Sequence, residues 1–347
     1  MTEARVLLRV INRAGRAAAG VGSVLLSYPW AGGTDAGMRE AVRRFATSLP
    51  ARGFADPIQH GLALSAGITE LADLGLPRLA AEVALGPVDQ AVHDGWSRAI
   101  GASGYRLYNE RYLAADLAGP LGADFAGRFP GDYLRDEPAT ELPVQWVVGV
   151  DEPLPASAGY PWLKLKLSGD PERDIPRVRA AARCGARVSL DPNEGYRSAG
   201  DFAELVAAIE AEYVEQPVPR DAPGPGPSRI PVLADEGLPS VTELDRLIGW
   251  DGVVVKTCRG QTAALLTYCW ALERGRFVVQ QDLTHVGPAL AHAAAFAAHC
   301  NYTADAFECN SLQYAPAGNA GLARDRPELV SPWRGRVRVR PGTVGIR

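Results

Sequence analysis

Trp162-Leu163-Lys164-Leu165-Lys166-Leu167 places two ammonium groups on one face of a run that otherwise reads as a buried strand. Side chains alternate along a strand, so Lys164 and Lys166 point one way and the leucines the other. Two like charges side by side are costly unless something anionic faces them, and their repulsion lowers the pKa of each. A lysine so placed is expected to serve as a base.

The run is one of a series. Beyond Leu142, short β-branched stretches alternate with Ala-rich segments of helical spacing, the pattern of repeated β/α units on a parallel sheet. Eight strands are expected, near residues 144–150, 162–167, 187–191, 213–215, 232–235, 252–256, 277–281 and 306–309. Eight such units close into a barrel, so the expected fold is α/β with a modified (β/α)8 TIM-type barrel. Helices fit between most strands, but the first gap, 151–161, has room only for a loop.

Acidic residues collect at the ends of the middle strands: Asp191 on the third, Glu215 on the fourth, Asp235 and Glu236 on the fifth. The C-terminal mouth of such a barrel is where chemistry sits. Three acids on neighbouring strand ends repel unless a hard cation lies among them, and Mg²⁺ takes carboxylate oxygens while keeping positions for water or substrate. Lys256 ends the sixth strand, half a barrel from Lys166 on the second. A carboxylate substrate at that metal would have a lysine on either face of its α-carbon, which is the equipment for removing the adjacent proton.

Upstream, residues 6–10 and 20–24 flank the polar turn Asn12-Arg13-Ala14-Gly15 and read as a hairpin. The loop Tyr28-Pro29-Trp30-Ala31-Gly32-Gly33 follows, a candidate lid over a pocket. Apolar residues recur at helical spacing in 38–49, 68–76 and 79–100, so 1–120 reads as an α+β N-terminal domain. His93 and Asp94 are adjacent on the last of these helices and point about 100° apart, which favours a structural role. Residues 117–141 connect the two domains, 142–315 form the barrel, and 316–347 are a tail returning toward the cap.

Composition excludes several classes. The chain of 347 residues, 47% hydrophobic, can bury a large core, and its net charge of −4 offers no basic field for nucleic acid. No apolar run has the roughly 18–20 residues of a membrane span. Five scattered cysteines without a C-x-x-C pair fit thiols in a reducing compartment, and no signal-like segment is recognised, so a cytoplasmic location is expected.

Lys164-Leu165-Lys166, Asp191-Pro192-Asn193, Glu215-Gln216-Pro217, Asp235-Glu236-Gly237 and Lys256 follow one another at spacings of 25, 24, 20 and 21 residues, each near one β/α unit. This ordered set resembles the enolase superfamily, in its mandelate racemase/muconate lactonizing enzyme branch. The resemblance implies a barrel under an N-terminal capping domain. It implies Mg²⁺, or Mn²⁺, held by Asp191, Glu215 and Asp235, and stabilisation of an enediolate formed by proton removal next to a carboxylate. Lys166 and Lys256 would be the acid/base pair, with Lys164 assisting. Asn193 and Glu236 would orient the metal-binding carboxylates. Measured against the family, the cap is expected to be trimmed of its usual first strand and the barrel to be without its first helix.

Residues after the seventh and eighth strands would read the rest of a small-molecule carboxylate substrate: Gln280, Gln281, Asp282, Thr284 and His285, then Glu308, Asn310 and Gln313, with Tyr28 and Trp30 contributing from the cap. His285, His292 and His299 recur every seven residues without making a convincing zinc site. The arginines at 334, 336, 338 and 340 alternate as on an edge strand. A racemase or epimerase is the first expectation, because paired lysines suit proton transfer on both faces; a cycloisomerase or dehydratase would share the intermediate, and a non-catalytic binder would have no use for both bases. A homo-oligomer is expected, with neither a nucleic-acid nor a membrane partner.

Overall fold

The computed structural model describes residues 2–49, 56–155, 159–281 and 283–347. Its chain opens with an antiparallel hairpin, β1 (Thr2–Ile11) and β2 (Ala17–Leu26). The side chain of Asn12 accepts from the backbone N–H groups of Ala14 and Arg16, both at 3.0 Å, and so holds the turn between them. Helices α1 (Tyr28–Ala31), α2 (Asp35–Ser48), α3 (Pro57–Ala66) and α4 (Arg78–Ile100) complete the cap. The expected helix at 68–76 is a 3-10 segment, Gly67–Leu74, and α3 was not anticipated from the apolar spacing. Its start is signalled by Asp56, whose side chain accepts from Gln59 N at 2.9 Å, with Pro57 in the first turn.

Helix α4 is buried over nearly its whole length, polar residues included, because it is wedged between the hairpin and the barrel. Gly20 and Gly22 permit this. A methyl group on Gly22 would stand 1.8 Å from the Pro87 carbonyl oxygen, so any side chain there would push helix and strand apart.

Eight parallel strands form a closed ring: β3 (Glu141–Val148), β4 (Trp162–Lys166), β5 (Arg187–Asp191), β6 (Val214–Glu215), β7 (Val232–Ala234), β8 (Gly252–Val255), β9 (Phe277–Gln280) and β10 (Phe307–Glu308), with β10 pairing back onto β3. The first strand begins at Glu141, three residues before its expected start. No helix lies between β3 and β4 among the described residues. Later connections carry α5 (Ala118–Leu121, before the barrel), α6 (Pro171–Ala181), α7 (Ala199–Ala208), α8 (Gln261–Glu273) and α9 (Pro288–His299). The tail adds β11 (Arg336–Arg338) antiparallel to β3, with Val337 buried and the two arginines exposed.

Alternation along β4 sorts the barrel's contents. Leu163, Leu165 and Leu167 join Val178 and Phe202 in the layer between strands and helices, whereas Trp162 packs with Tyr213, Leu233 and Val254. Lys164 and Lys166 share the parity of Trp162 and continue toward the C-terminal mouth. No helix among the described residues is long and apolar enough to cross a membrane.

Candidate active site

The two lysines of β4 meet acids rather than each other. Lys164 Nζ lies 2.5 Å from Glu215 Oε1, 2.8 Å from Glu308 Oε2 and 3.2 Å from Asp191 Oδ2, and donates to Gln281 Oε1 at 3.1 Å. Burial alone would lower its pKa, but Glu215, Glu308 and Asp191 raise it well above the ordinary lysine value. The expected mutual lowering of the pair is therefore overturned at Lys164: three carboxylates outweigh one neighbouring ammonium. Lys166, part-exposed, donates to the carboxylate of Asp191 and to Asn193 Oδ1 at 2.7 Å.

Across the mouth, Lys256 Nζ donates to Asp235 Oδ2 at 2.5 Å and stands 4.5 Å from the centre of the Trp30 ring. Burial opposes its charge, yet Asp235, Glu215 and Glu236 hold its pKa above the usual value. Trp30 Nε1 donates to Glu236 Oε1 at 2.8 Å, and Asn193 Nδ2 reaches the same oxygen at 3.0 Å. Glu236 thus ties the cap to the barrel rim. Burial first, then Asp235, pushes its pKa up to about 7.

Asp191 and Glu215 sit side by side with opposite fates. Burial disfavours both anions, but Lys166 and Lys164 carry Asp191 well below the carboxylate range, whereas Asp191 itself helps push Glu215 well above it. Five carboxyl groups (Asp191, Glu215, Asp235, Glu236 and Glu308) face three lysines (Lys164, Lys166 and Lys256), two more acids than bases, and that imbalance is part of what drives Glu215 and Glu236 upward. Glu215 Oε2 and Glu236 Oε2 are buried without a hydrogen-bond partner in the described structure. No three acidic, imidazole or thiol groups form a ready-made metal cage among the described residues, the lysines being interposed between the acids. The all-oxygen donor set, its surplus of carboxyl groups and its orphaned oxygens nevertheless fit a hard divalent cation.

The other sequence-derived candidates divide. Glu308 lies inside the cluster, with Asn310 Nδ2 on its second oxygen at 2.8 Å. His285 is buried close to His292. Asp282 and the side chain of Tyr28 lie outside the described residues. Two of the polar residues assigned to ligand reading are structural instead. Gln280 donates to Ala293 O and accepts from Tyr302, and Gln313 brackets the N–H and C=O of Val147.

Three contributors had no individual signal in the sequence. Gln216 accepts from Asp235 N at 2.9 Å and Gly237 N at 3.0 Å, fixing the loop that bears Asp235. Tyr213 receives Gln145 and Gln281 beneath Lys164. Arg220 pairs with Glu194 at 2.6 Å and reaches the Trp30 carbonyl. Asn193, Glu194, Gln216 and Thr284 all have left-handed backbones, with φ of 45°, 67°, 37° and 52°. Such conformations cost about 1 kcal/mol or more each and gather where geometry matters more than stability.

Residues 153–310 match the family model described as enolase C-terminal domain-like. Solved structures of similar shape include a dipeptide epimerase from Methylococcus capsulatus complexed with Mg ion, 18% identical, with 99% of this chain and 93% of that chain covered at a TM-score of 0.64. A dipeptide epimerase from Cytophaga hutchinsonii, complexed with Mg and the dipeptide D-Ala-L-Val, is 17% identical over 99% of this chain and 87% of that one, at a TM-score of 0.66. A mandelate racemase/muconate lactonizing enzyme from Bordetella bronchiseptica RB50 is 16% identical over 99% and 95%, at a TM-score of 0.69. At these identities the likeness establishes the fold. Comparison with functionally curated proteins finds no match.

Proposed function

We propose that the chain is an enolase-superfamily enzyme of the isomerase or lyase kind, one that moves a proton on and off the carbon next to a substrate carboxylate, as a racemase or epimerase. One observation carries the reading. β4 and β8 are half a turn apart in a ring of eight, so Lys166 and Lys256 approach a ligand in the mouth from opposite sides, with Asp191, Glu215 and Asp235 on the arc between.

Lys256 is held protonated by Asp235 and so starts as the acid. For the stereoisomer whose α-proton faces Lys166, that lysine is the base. The α-proton passes to Lys166 Nζ, the C–H electron pair delocalises into the carboxylate, and Lys256 returns a proton to the opposite face, inverting the centre; the reverse reaction exchanges the roles. Asn193 and Asp191 orient Lys166, and the Trp30 ring covers Lys256 from water. A divalent cation held by Asp191, Glu215 and Asp235 would supply stabilisation of the negative charge on the carboxylate oxygens. Mg²⁺ fits this all-oxygen set, and Mn²⁺ is the alternative.

Dipeptides are the first substrates to try, since two of the similar structures are dipeptide epimerases. A panel of dipeptides and other α-substituted carboxylates, incubated with enzyme and Mg²⁺ in D₂O, should show α-proton exchange with interconversion of epimers. Deuterium in product without interconversion would replace the epimerase with a lyase or cycloisomerase. Absence of exchange across a broad panel, with Mg²⁺ demonstrably bound, would overturn proton abstraction itself.

A further inference from the structure

A cleft of about 420 Å³ opens where cap, barrel and tail meet, and its lining contains none of the mouth lysines or carboxylates. Four arginines face it: Arg5 from β1, Arg98 from α4, and Arg326 and Arg347 from the tail. The acids nearby do not balance them. Glu3 pairs with Arg5 at 3.0 Å, Asp94 is shared between Arg98 at 2.9 Å and Arg347 at 2.8 Å, and Asp325 lies in the wall. Arg326 has no ion pair among the described residues. The Nε of Arg347 is buried with no hydrogen-bond partner there. Burial works against the charge of Arg347, Asp94 supports it, and Arg98 and Arg326 oppose it again.

Positive charge and an unused guanidinium donor, converging on a cleft of small-molecule size, are the counterpart of the mouth's unused carboxylate oxygens. Guanidinium forks suit planar or tetrahedral oxyanions, which accept paired N–H donors. Gly321 contributes a wall without a side chain, with open space where its methyl group would stand, which leaves room for a ligand close to the backbone. We infer that this cleft binds a small multivalent oxyanion of the phosphate or phosphate-monoester class, bridging cap, barrel and tail. Gly287 is two residues beyond His285 on the loop after β9, so the bound anion would brace that loop from behind.

The test is calorimetric titration of the intact chain with inorganic phosphate, and in parallel with glycerol phosphate, at low salt and without divalent cation. Saturable binding is expected, weakened at least about tenfold by Arg326→Gln and partly restored in Arg326→Lys. Since Arg326 forms no ion pair, its variants should unfold at the parent's temperature. Lys166→Ala should bind phosphate as the parent does. Tighter binding of the monoester would identify an organic phosphate as the ligand, and equal binding would identify the free anion. Absence of saturable heat at millimolar anion, binding indifferent to Arg326→Gln, or binding lost in Lys166→Ala would each overturn the assignment.

Discussion

The polar groups that α4 buries against the barrel are paired, whereas those at the barrel mouth leave carboxyl oxygens over. At the seam, Asp89 accepts from both the N–H and the hydroxyl of Thr262, at 2.7 and 2.8 Å. With that hydroxyl committed to Asp89, His93 Nε2 donates to it, and His93 Nδ1 is hydrogen-bonded with Tyr108 Oη, each at 2.8 Å. Gln90 is likewise used at both ends, by Ser23 N and Thr257 O. The mouth has two more carboxyl groups than lysines, orphaned carboxyl oxygens and four left-handed non-glycine residues. Both regions are buried and hydrogen-bonded; what separates them is whether anything is left unsatisfied. A satisfied cluster fastens two domains, and an unsatisfied one is shaped for something that arrives later.

The comparison breaks most visibly at the lysines. Lys166→Ala should abolish α-proton exchange of one stereoisomer and Lys256→Ala that of the other, by about 10²–10⁴, read by proton NMR in D₂O with the fold intact. Equal loss of both isomers in each single variant would mean that the two ammonium groups do not act from opposite faces.

Next in size is the cation. At a Mg²⁺ concentration a hundred times its dissociation constant, the parent should gain about 2.7 kcal/mol against unfolding, and a chelator should remove the gain. Asp235→Asn should forfeit most of it; an undiminished gain in thermal melts would remove Asp235 from the ligand set.

The seam should respond in the opposite sense. Asp89→Ala strands the N–H and hydroxyl of Thr262 and should lower unfolding stability by about 2–3 kcal/mol in urea titrations, while the surviving folded enzyme exchanges protons as the parent does. Lost exchange with unchanged stability would make the seam part of the chemistry.

The smallest effect lies on the exposed face of α2. Arg43 and then Arg44 draw the pKa of Glu40 down from 4.5 to about 2. A carboxyl depressed on folding stabilises the folded state above its unfolded pKa, and that contribution fades as pH falls toward the folded value. The parent's margin over Glu40→Gln should therefore be full at neutral pH and shrink below pH 4.5, a modest change that added salt should screen. A margin that grew on acidification would reverse the sign of this pair.

Much of this was legible in the chain itself. The eight strands, the missing helix after β3 and the inward parity of Lys164 and Lys166 all follow from period-two alternation and gap length, which are local properties. Helix α3 escaped because its apolar residues are interrupted by glycine and histidine, though its cap and proline marked the start. The proton affinity of Lys164 also escaped. Sequence puts Lys166 two residues away, but Glu308, 144 residues distant, can be weighed only when the ring closes. The seam was unreadable for the same reason: the partner of Asp89 and His93 is Thr262, in another domain.

Asp94 has a further consequence, one of time. Its carboxylate, buried in α4, is finished only by Ile346 N at 3.3 Å and by Arg347, which lies 253 residues further along. At 5–20 residues per second, translation takes roughly 13–50 s to cover that interval. Throughout it the cap on a nascent chain carries a desolvated anion served only by Arg98 and Val21 N. Residues 346 and 347 therefore complete the coordination of Asp94, and docking of the cap is expected to follow their synthesis.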